Sequence, residues 1–96
     1  MASHGHTQQF EWALERLRRE FGAERVSVEV GDDGRRVAAE VRPPDGGDRR
    51  PYRVVLADPV LGDVNRVADP HAFLDAELGF ARAWFEGKSR RFRTWG

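Results

Sequence analysis

Ninety-six residues with no cysteine, 40% hydrophobic and 33% charged, describe one globular domain that folds without disulfides or thiolate metal sites. Sixteen basic and sixteen acidic side chains cancel, so no overall charge draws the molecule to nucleic acid or membranes. No apolar run approaches the ~18 residues of a membrane span, and the start MASHGHTQQ lacks the basic and apolar regions of a signal peptide, which makes the cytoplasm the expected location.

Residues 1–8 read as a mobile N-terminal tail. With Met1 removed, Ala2-Ser3-His4 offers the free amine and third-position histidine that bind Cu(II) or Ni(II) in a square plane. A short histidine tract is a compositional feature only, and no metal role is assigned to it. Thr7 is the expected N-cap of a first helix running through Phe21, with Gly22 as its C-cap. Phe10, Ala13, Leu14, Leu17 and Phe21 share one face of that helix, and Glu15 with Arg19 forms an i,i+4 pair on the other. Trp12 falls off the apolar face, among Glu15, Arg16 and Arg19. The reading there is either a tryptophan lying over Arg16 in a cation–π contact or an anchor for a protein interface, with Arg16 beside it.

Val26 to Val30 alternates as a half-buried strand does, and Gly31-Asp32-Asp33-Gly34 is a hairpin turn. Arg35 to Arg42 is the return strand, with Val37, Ala39 and Val41 matching Val26, Val28 and Val30. Opposing Val30 to Arg35 puts Glu29 beside Arg36 on the outer face, which Glu40, Arg42 and Arg53 complete. Pro43 to Pro51, PPDGGDRRP, is a loop without the spacing of a phosphate-binding motif. Tyr52 to Ala57 is a third strand with Tyr52, Val54 and Leu56 on one face. Asp58-Pro59 and Leu61-Gly62-Asp63 are turn signals, and Val64 to Val67 is a candidate fourth strand.

Asp69 to Gly87 is the best-marked stretch of the chain: Asp69 as N-cap, Pro70 at the first helical position, and acids early in the helix. At about 100° per residue its apolar side chains divide into two stripes. Leu74, Leu78, Ala81 and Phe85 form one. Phe73, Ala76, Phe80, Ala83 and Trp84 form the other, and only Asp75, Gly79, Arg82 and Glu86 are left for water. A surface helix needs one apolar stripe, so two covers are expected. The sheet supplies the first. The second is either the first helix or a second copy of this helix across a two-fold axis. Beyond it, residues 89–96 form a basic aromatic tail, SRRFRTWG.

This order of elements gives an α+β domain over residues 9–88: an N-terminal helix, a three-stranded antiparallel sheet with the candidate fourth strand, and a C-terminal helix packed on one sheet face. Helix, three strands, helix is also the order of double-stranded RNA-binding domains, but those start their final helix with cations, and here the start carries Asp69, His71 and Asp75.

Catalytic constellations are not apparent. Ser3, Ser27 and Ser89 lie in a tail, on a strand and at a helix end, and His71 with Asp75 matches no metal or acid–base motif. The expectation is therefore a small bacterial protein–protein interaction module without enzymatic activity, cofactor, small-molecule substrate or membrane. It acts as a homodimer or as an accessory or inhibitor of another protein, with Trp12, Arg16, Phe73, Phe80 and Trp84 as the interface residues. The bacterial assignment follows arginine's share of the basic residues (all but Lys88), as in a GC-rich genome. The alternative is a nucleic-acid binder using Arg49 and Arg50 of the loop and Arg90, Arg91, Phe92, Arg93 and Trp95 of the tail, where cations meet phosphates and rings stack on bases.

Overall fold

In the computed structural model, which describes residues 8–32, 34–44 and 50–87, the first helix starts at a buried ring and not at a polar cap. Helix α1 spans Glu11–Phe21; Phe10 stands in the N-cap position without a side-chain cap, and its carbonyl accepts from the N–H groups of Ala13 and Leu14, each at 3.0 Å. Thr7, the expected cap, lies outside the described residues. Phe10, Ala13, Leu14 and Leu17 are all buried, as their spacing predicts. The Glu15–Arg19 pair forms, at 3.5 Å. Gly22 ends the helix at φ +99°, a conformation L side chains rarely adopt; a Cβ there would stand 2.9 Å from a Glu24 carboxylate oxygen, the end of a flexible side chain that can shift aside, so the backbone angle is what favours glycine.

A 3₁₀ turn, Ala23–Arg25, leads into strand β1, Val26–Val30. Arg25 closes this end of the core: its guanidinium carbon sits 5.5 Å from the Phe21 ring centroid and 5.1 Å from that of Phe85. Its Nε donates to the Arg42 carbonyl at 2.8 Å, while one terminal nitrogen has no oxygen partner. The ring faces are what that nitrogen is left with, a cation–π environment.

The hairpin register differs from the expected one. Strand β2 is Val37–Val41, and Val30 pairs with Val37, not with Arg35. The connection is longer because Gly31 donates to the Arg36 carbonyl at 2.8 Å and Gly34 to Gly31 at 2.9 Å. The difference is two residues, one full pleat, so the valines keep their face while the charged partners change. Glu29 pairs with Arg53 of the third strand at 2.6 Å, and Arg36 reaches Asp58 at 3.6 Å.

Strand β3, Tyr52–Asp58, pairs antiparallel with β2; the register slips by one residue between Val37 and Ala38, which leaves Leu56 as the extra residue of a bulge. A fourth strand exists, two residues upstream of the expected one: β4 is Gly62–Asp63, paired with Asp58 and Ala57. Val64–Arg66 is a 3₁₀ turn, not a strand, because the Asp63 side chain accepts from the Asn65 N–H at 2.7 Å and caps it. The result is one antiparallel sheet in the order β1-β2-β3-β4.

Helix α2 spans Pro70–Phe85, with Asp69 accepting from the Ala72 N–H at 3.0 Å and Pro70 in the first turn. Leu74, Leu78 and Ala81 enter one core with Leu14, Leu17, Val37, Val41, Val54 and Leu56. Burial of side chains of this size contributes roughly 1.5–3 kcal/mol each, so the two helices and the inner sheet face stand or fall together. This is the expected α+β architecture. Among the described residues no helix is long and apolar enough to cross a membrane.

Candidate protein-interaction face

The first helix does not cover the second apolar stripe of α2. It runs along the polar strip instead: Arg16 pairs with Asp75, and Arg82 Nη1 meets Glu20 Oε2 at 2.8 Å. These pairs are partly solvated and each contributes at most about 1 kcal/mol, but together they fix which side of α2 faces α1. The stripe one-third of a turn or more beyond them is left facing outward. Phe73 keeps 37% and Phe80 41% of its surface exposed, and Ala76 between them is exposed too.

Around Phe73 the surface is concave. Val55 of β3, Leu61, Val64 and Val67 of the connection, and Phe73 line a groove of about 180 Å³. Leu61 is 77% exposed, and Val55 and Val67 also present their side chains to solvent. β4 pairs only with Ala57 and Asp58, so among the described residues no strand lies beyond Tyr52–Leu56 on that side of the sheet. The turn that carries Leu61 is built by Asp58, whose carboxylate accepts from the N–H groups of Val60 at 2.8 Å and Leu61 at 3.0 Å. Those bonds, with Arg36 nearby, hold its pKa below the ordinary carboxylate value.

Trp84 closes the opposite end of the stripe. Its indole N–H donates to the Arg50 carbonyl at 2.7 Å, and its ring lies 6.4 Å from that of Tyr52. Beside it the Tyr52 hydroxyl donates to Glu77 at 3.3 Å. Burial, with the neighbouring carboxylate, pushes the phenol well above its usual range; burial also raises Glu77, against the opposing hydrogen bond. A carboxyl group raised in this way destabilises the fold while it is charged, and that penalty fades as pH falls through its folded pKa. Glu77→Gln is therefore expected to raise the thermal midpoint at pH 7 and to lose the advantage below about pH 4, where the native glutamate is itself protonated. Paired melting curves across that range check it.

Trp12 is turned inward, not left as a free anchor, and the expected contact over Arg16 is replaced by others. Its indole N–H donates to Asn65 Oδ1 at 2.8 Å, and its ring stands 4.5 Å from that of His71. Asn65 in turn donates to the Gln9 carbonyl at 3.0 Å. Arg16 Nη1 lies 3.3 Å from His71 Nδ1 and from its carbonyl; since a guanidinium only donates, Nδ1 is the accepting nitrogen. Trp12 and Arg16 thus join α1, the 64–66 turn and the start of α2 into one unit.

No family model, curated protein or solved structure matches this chain.

Of the interface residues expected from sequence, the fold brings Phe73, Phe80 and Trp84 onto one face and puts Trp12 and Arg16 to structural use. Val55, Leu61 and Val67 were not among the expected residues. Leu61 and Val67 carried a signal, branched apolar side chains among turn residues where nothing in the local pattern buries them, while Val55 lies within the third strand, apolar on the face opposite Val54 and Leu56. Of the nucleic-acid residues, Arg50 is exposed and offers its carbonyl to Trp84, while Arg49, Arg90, Arg91, Phe92, Arg93 and Trp95 lie outside the described residues. A wider polar cleft of about 570 Å³ opens beside Phe10, Arg35, Asp58, Asp63 and Arg66. Its carboxylates are engaged in the two turns just described. Among the described residues no group of three or more histidine, aspartate or glutamate side chains is placed to hold a metal.

Proposed function

We propose that this chain is a protein–protein interaction module whose working surface is the outward stripe of α2 together with the groove beside Phe73. The observation that carries the reading is the exposure of two phenylalanines on a helix whose opposite face already anchors it in the core. Leu74, Leu78 and Ala81 on that anchoring face are buried, whereas the two rings are only partly so. Each leaves apolar area in water, and contiguous apolar patches of a few hundred Å2 mark interaction sites on soluble domains. Asp75 and Arg82, on the strip that faces α1, and Glu29, on the outer sheet face, are paired within the protomer and lie off the stripe. The arginines of the sheet and helices that pair with carboxylates have their charge locally offset, which weakens them as phosphate ligands.

The test is in-cell photocrosslinking from single positions. A photoreactive side chain in place of Phe73 or Phe80 is expected to give discrete covalent adducts, and one in place of Ser27, on the exposed face of β1, to give none. Equal adducts from all three positions, or none from Phe73 and Phe80, would sink the reading.

A further inference from the structure

The sheet has an open edge where the groove lies. The Arg42 N–H donates to the Arg25 carbonyl and the Gly31 N–H to the Arg36 carbonyl, each at 2.8 Å, at the two ends of the β1–β2 ladder. Hydrogen-bonded pairs alternate along antiparallel strands, so in this register Ser27–Glu40 and Glu29–Ala38 are the bonded pairs. Ala39 and Val41 of β2 then turn their backbone groups toward β3 and bond Val54 and Tyr52. Arg53 and Val55 are left with their N–H and C=O groups pointing away from β2. β4 pairs only with Ala57 and Asp58, so among the described residues no strand meets those groups. Such an edge is a template for another strand. Charged side chains are one common guard of an edge, and here the charge of Arg53 is offset by Glu29.

The groove beside this edge selects what can add to it. It holds about 180 Å³, whereas sites for cofactor-sized molecules run from about 300 to 1,000 Å³. One large apolar side chain is the guest that suits it, enclosed by Val55, Leu56, Leu61, Val64, Val67 and Phe73. β1, at the other edge of the sheet, contributes nothing to this lining. Unpaired backbone groups along one wall and an apolar recess at their end together describe an extended peptide. Its main chain continues the ladder, and its alternate side chains reach the recess.

Glu77 adds a charge requirement. Phe73 lines the groove with Leu56, and Glu77, one turn later on α2, accepts from the Tyr52 hydroxyl at 3.3 Å. The helix therefore leads from the groove toward the Tyr52 end of the open edge. None of the ion pairs among the described residues includes Glu77, and burial holds its carboxyl above the ordinary value. A carboxylate accepts several hydrogen bonds, so it can take a cation and keep Tyr52. The spacing fits one strand: side chains two residues apart on a strand face are about 7 Å apart, and Phe73 and Glu77 are about 6 Å apart along the helix.

Resting on the reading of this face as an interaction surface, we propose that the open edge of β3 receives an extended segment of a partner protein as an added antiparallel strand, with one large apolar side chain in the groove and an arginine or lysine two residues later against Glu77. Antiparallel pairing keeps the direction of β4, whose line the new strand extends. The apolar residue lies opposite Leu56 and the cation opposite Val54, both on the helix side of the sheet. The residue between them exchanges two hydrogen bonds with Val55, and the residue after the cation does the same with Arg53.

The probe is a capped pentapeptide, Thr-Leu-Thr-Arg-Thr, added to the full chain, with hydrogen exchange of single backbone amides followed by nuclear magnetic resonance. The Arg53 and Val55 amides are expected to exchange freely in the chain alone, and about tenfold or more slowly under saturating peptide, since only the unbound fraction exchanges. Glutamine in place of the peptide's arginine weakens binding by on the order of tenfold, the loss of one charge-assisted hydrogen bond. Glu77→Gln binds the two peptides equally, and Val67→Asp, a change at an exposed position, binds neither. No slowing at Arg53 and Val55 overturns the proposal, and so does equal affinity of the native chain for the two peptides. Amides already protected in the chain alone overturn it as well: protection independent of concentration gives the edge to the chain's own residues, and protection that rises with concentration gives it to a second copy. If photoreactive positions 73 and 80 still yield adducts after such a result, the interaction face stands without the added strand; if they yield none, both readings fall.

Discussion

Leu74→Asp is expected to abolish folding, whereas Phe73→Asp, one residue earlier on the same helix, leaves a cooperatively folding domain. Leu74 is fully buried among the core residues of both helices and the sheet. Removing its side chain alone costs about 3 kcal/mol, and the buried carboxylate adds a desolvation penalty of similar size or more. The total is on the order of the 5–15 kcal/mol that holds a domain of this kind together. Phe73 is already more than one-third exposed, so losing its ring forfeits about 1–2 kcal/mol of burial. An aspartate at that position also stands near the helix N-terminus, where negative charge is favourable. Urea titrations at low protein concentration, followed by far-ultraviolet circular dichroism, separate the two variants. If Phe73→Asp unfolds the chain as Leu74→Asp does, the second stripe is structural and the interaction face proposed above does not exist.

The contrast between those neighbours was legible in the sequence, and it shows what pattern reading does well. A 100° step places Leu74 and Phe73 on different faces whatever the rest of the chain does, and the cap at Asp69 with Pro70 fixes where the count begins. The hairpin was legible in parity but not in register. A two-residue slip leaves every valine on its face, so the apolar pattern is indifferent to it, and the charged pairs proposed to settle it had a better partner in Arg53, which no two-strand reading includes. Residues 58–68 were legible as turns only. Their structure is written by side-chain oxygens binding nearby backbone N–H groups, Asp58 to Val60 and Leu61, and Asp63 to Asn65. Such bonds leave no periodicity behind. The inward turn of Trp12 was illegible for another reason: its hydrogen-bond partner is 53 residues away, and no local rule connects Trp12 with Asn65.

The start of α1 carries the other large prediction. Sequence rules put a cap at a residue with a side-chain oxygen, because such a cap is worth about 1 kcal/mol. Phe10 holds the N-cap place with no such oxygen, and it is 1% exposed. Replacing a buried phenylalanine by alanine costs about 3–5 kcal/mol, several times the value of a cap, so burial of the ring decides where the helix begins. Phe10→Ala is expected to lose that amount and Phe10→Ser to recover only about 1 kcal/mol of it through the new cap. Phe80→Ala, the same change on the outward stripe, is expected to cost the isolated protomer no more than about 1–2 kcal/mol, since much of that ring is already in water. Chemical denaturation of the three variants orders them as Phe10→Ala, then Phe10→Ser, then Phe80→Ala, from least to most stable. If Phe10→Ser equals or exceeds the native chain, capping outweighs burial and the helix is held by its end, not its face. If Phe80→Ala falls to the level of Phe10→Ala at low concentration, the outward stripe supports the protomer itself. The two phenylalanines then have one role, where burial separates them: one ring is enclosed in the core, and the other keeps 41% of its surface in water.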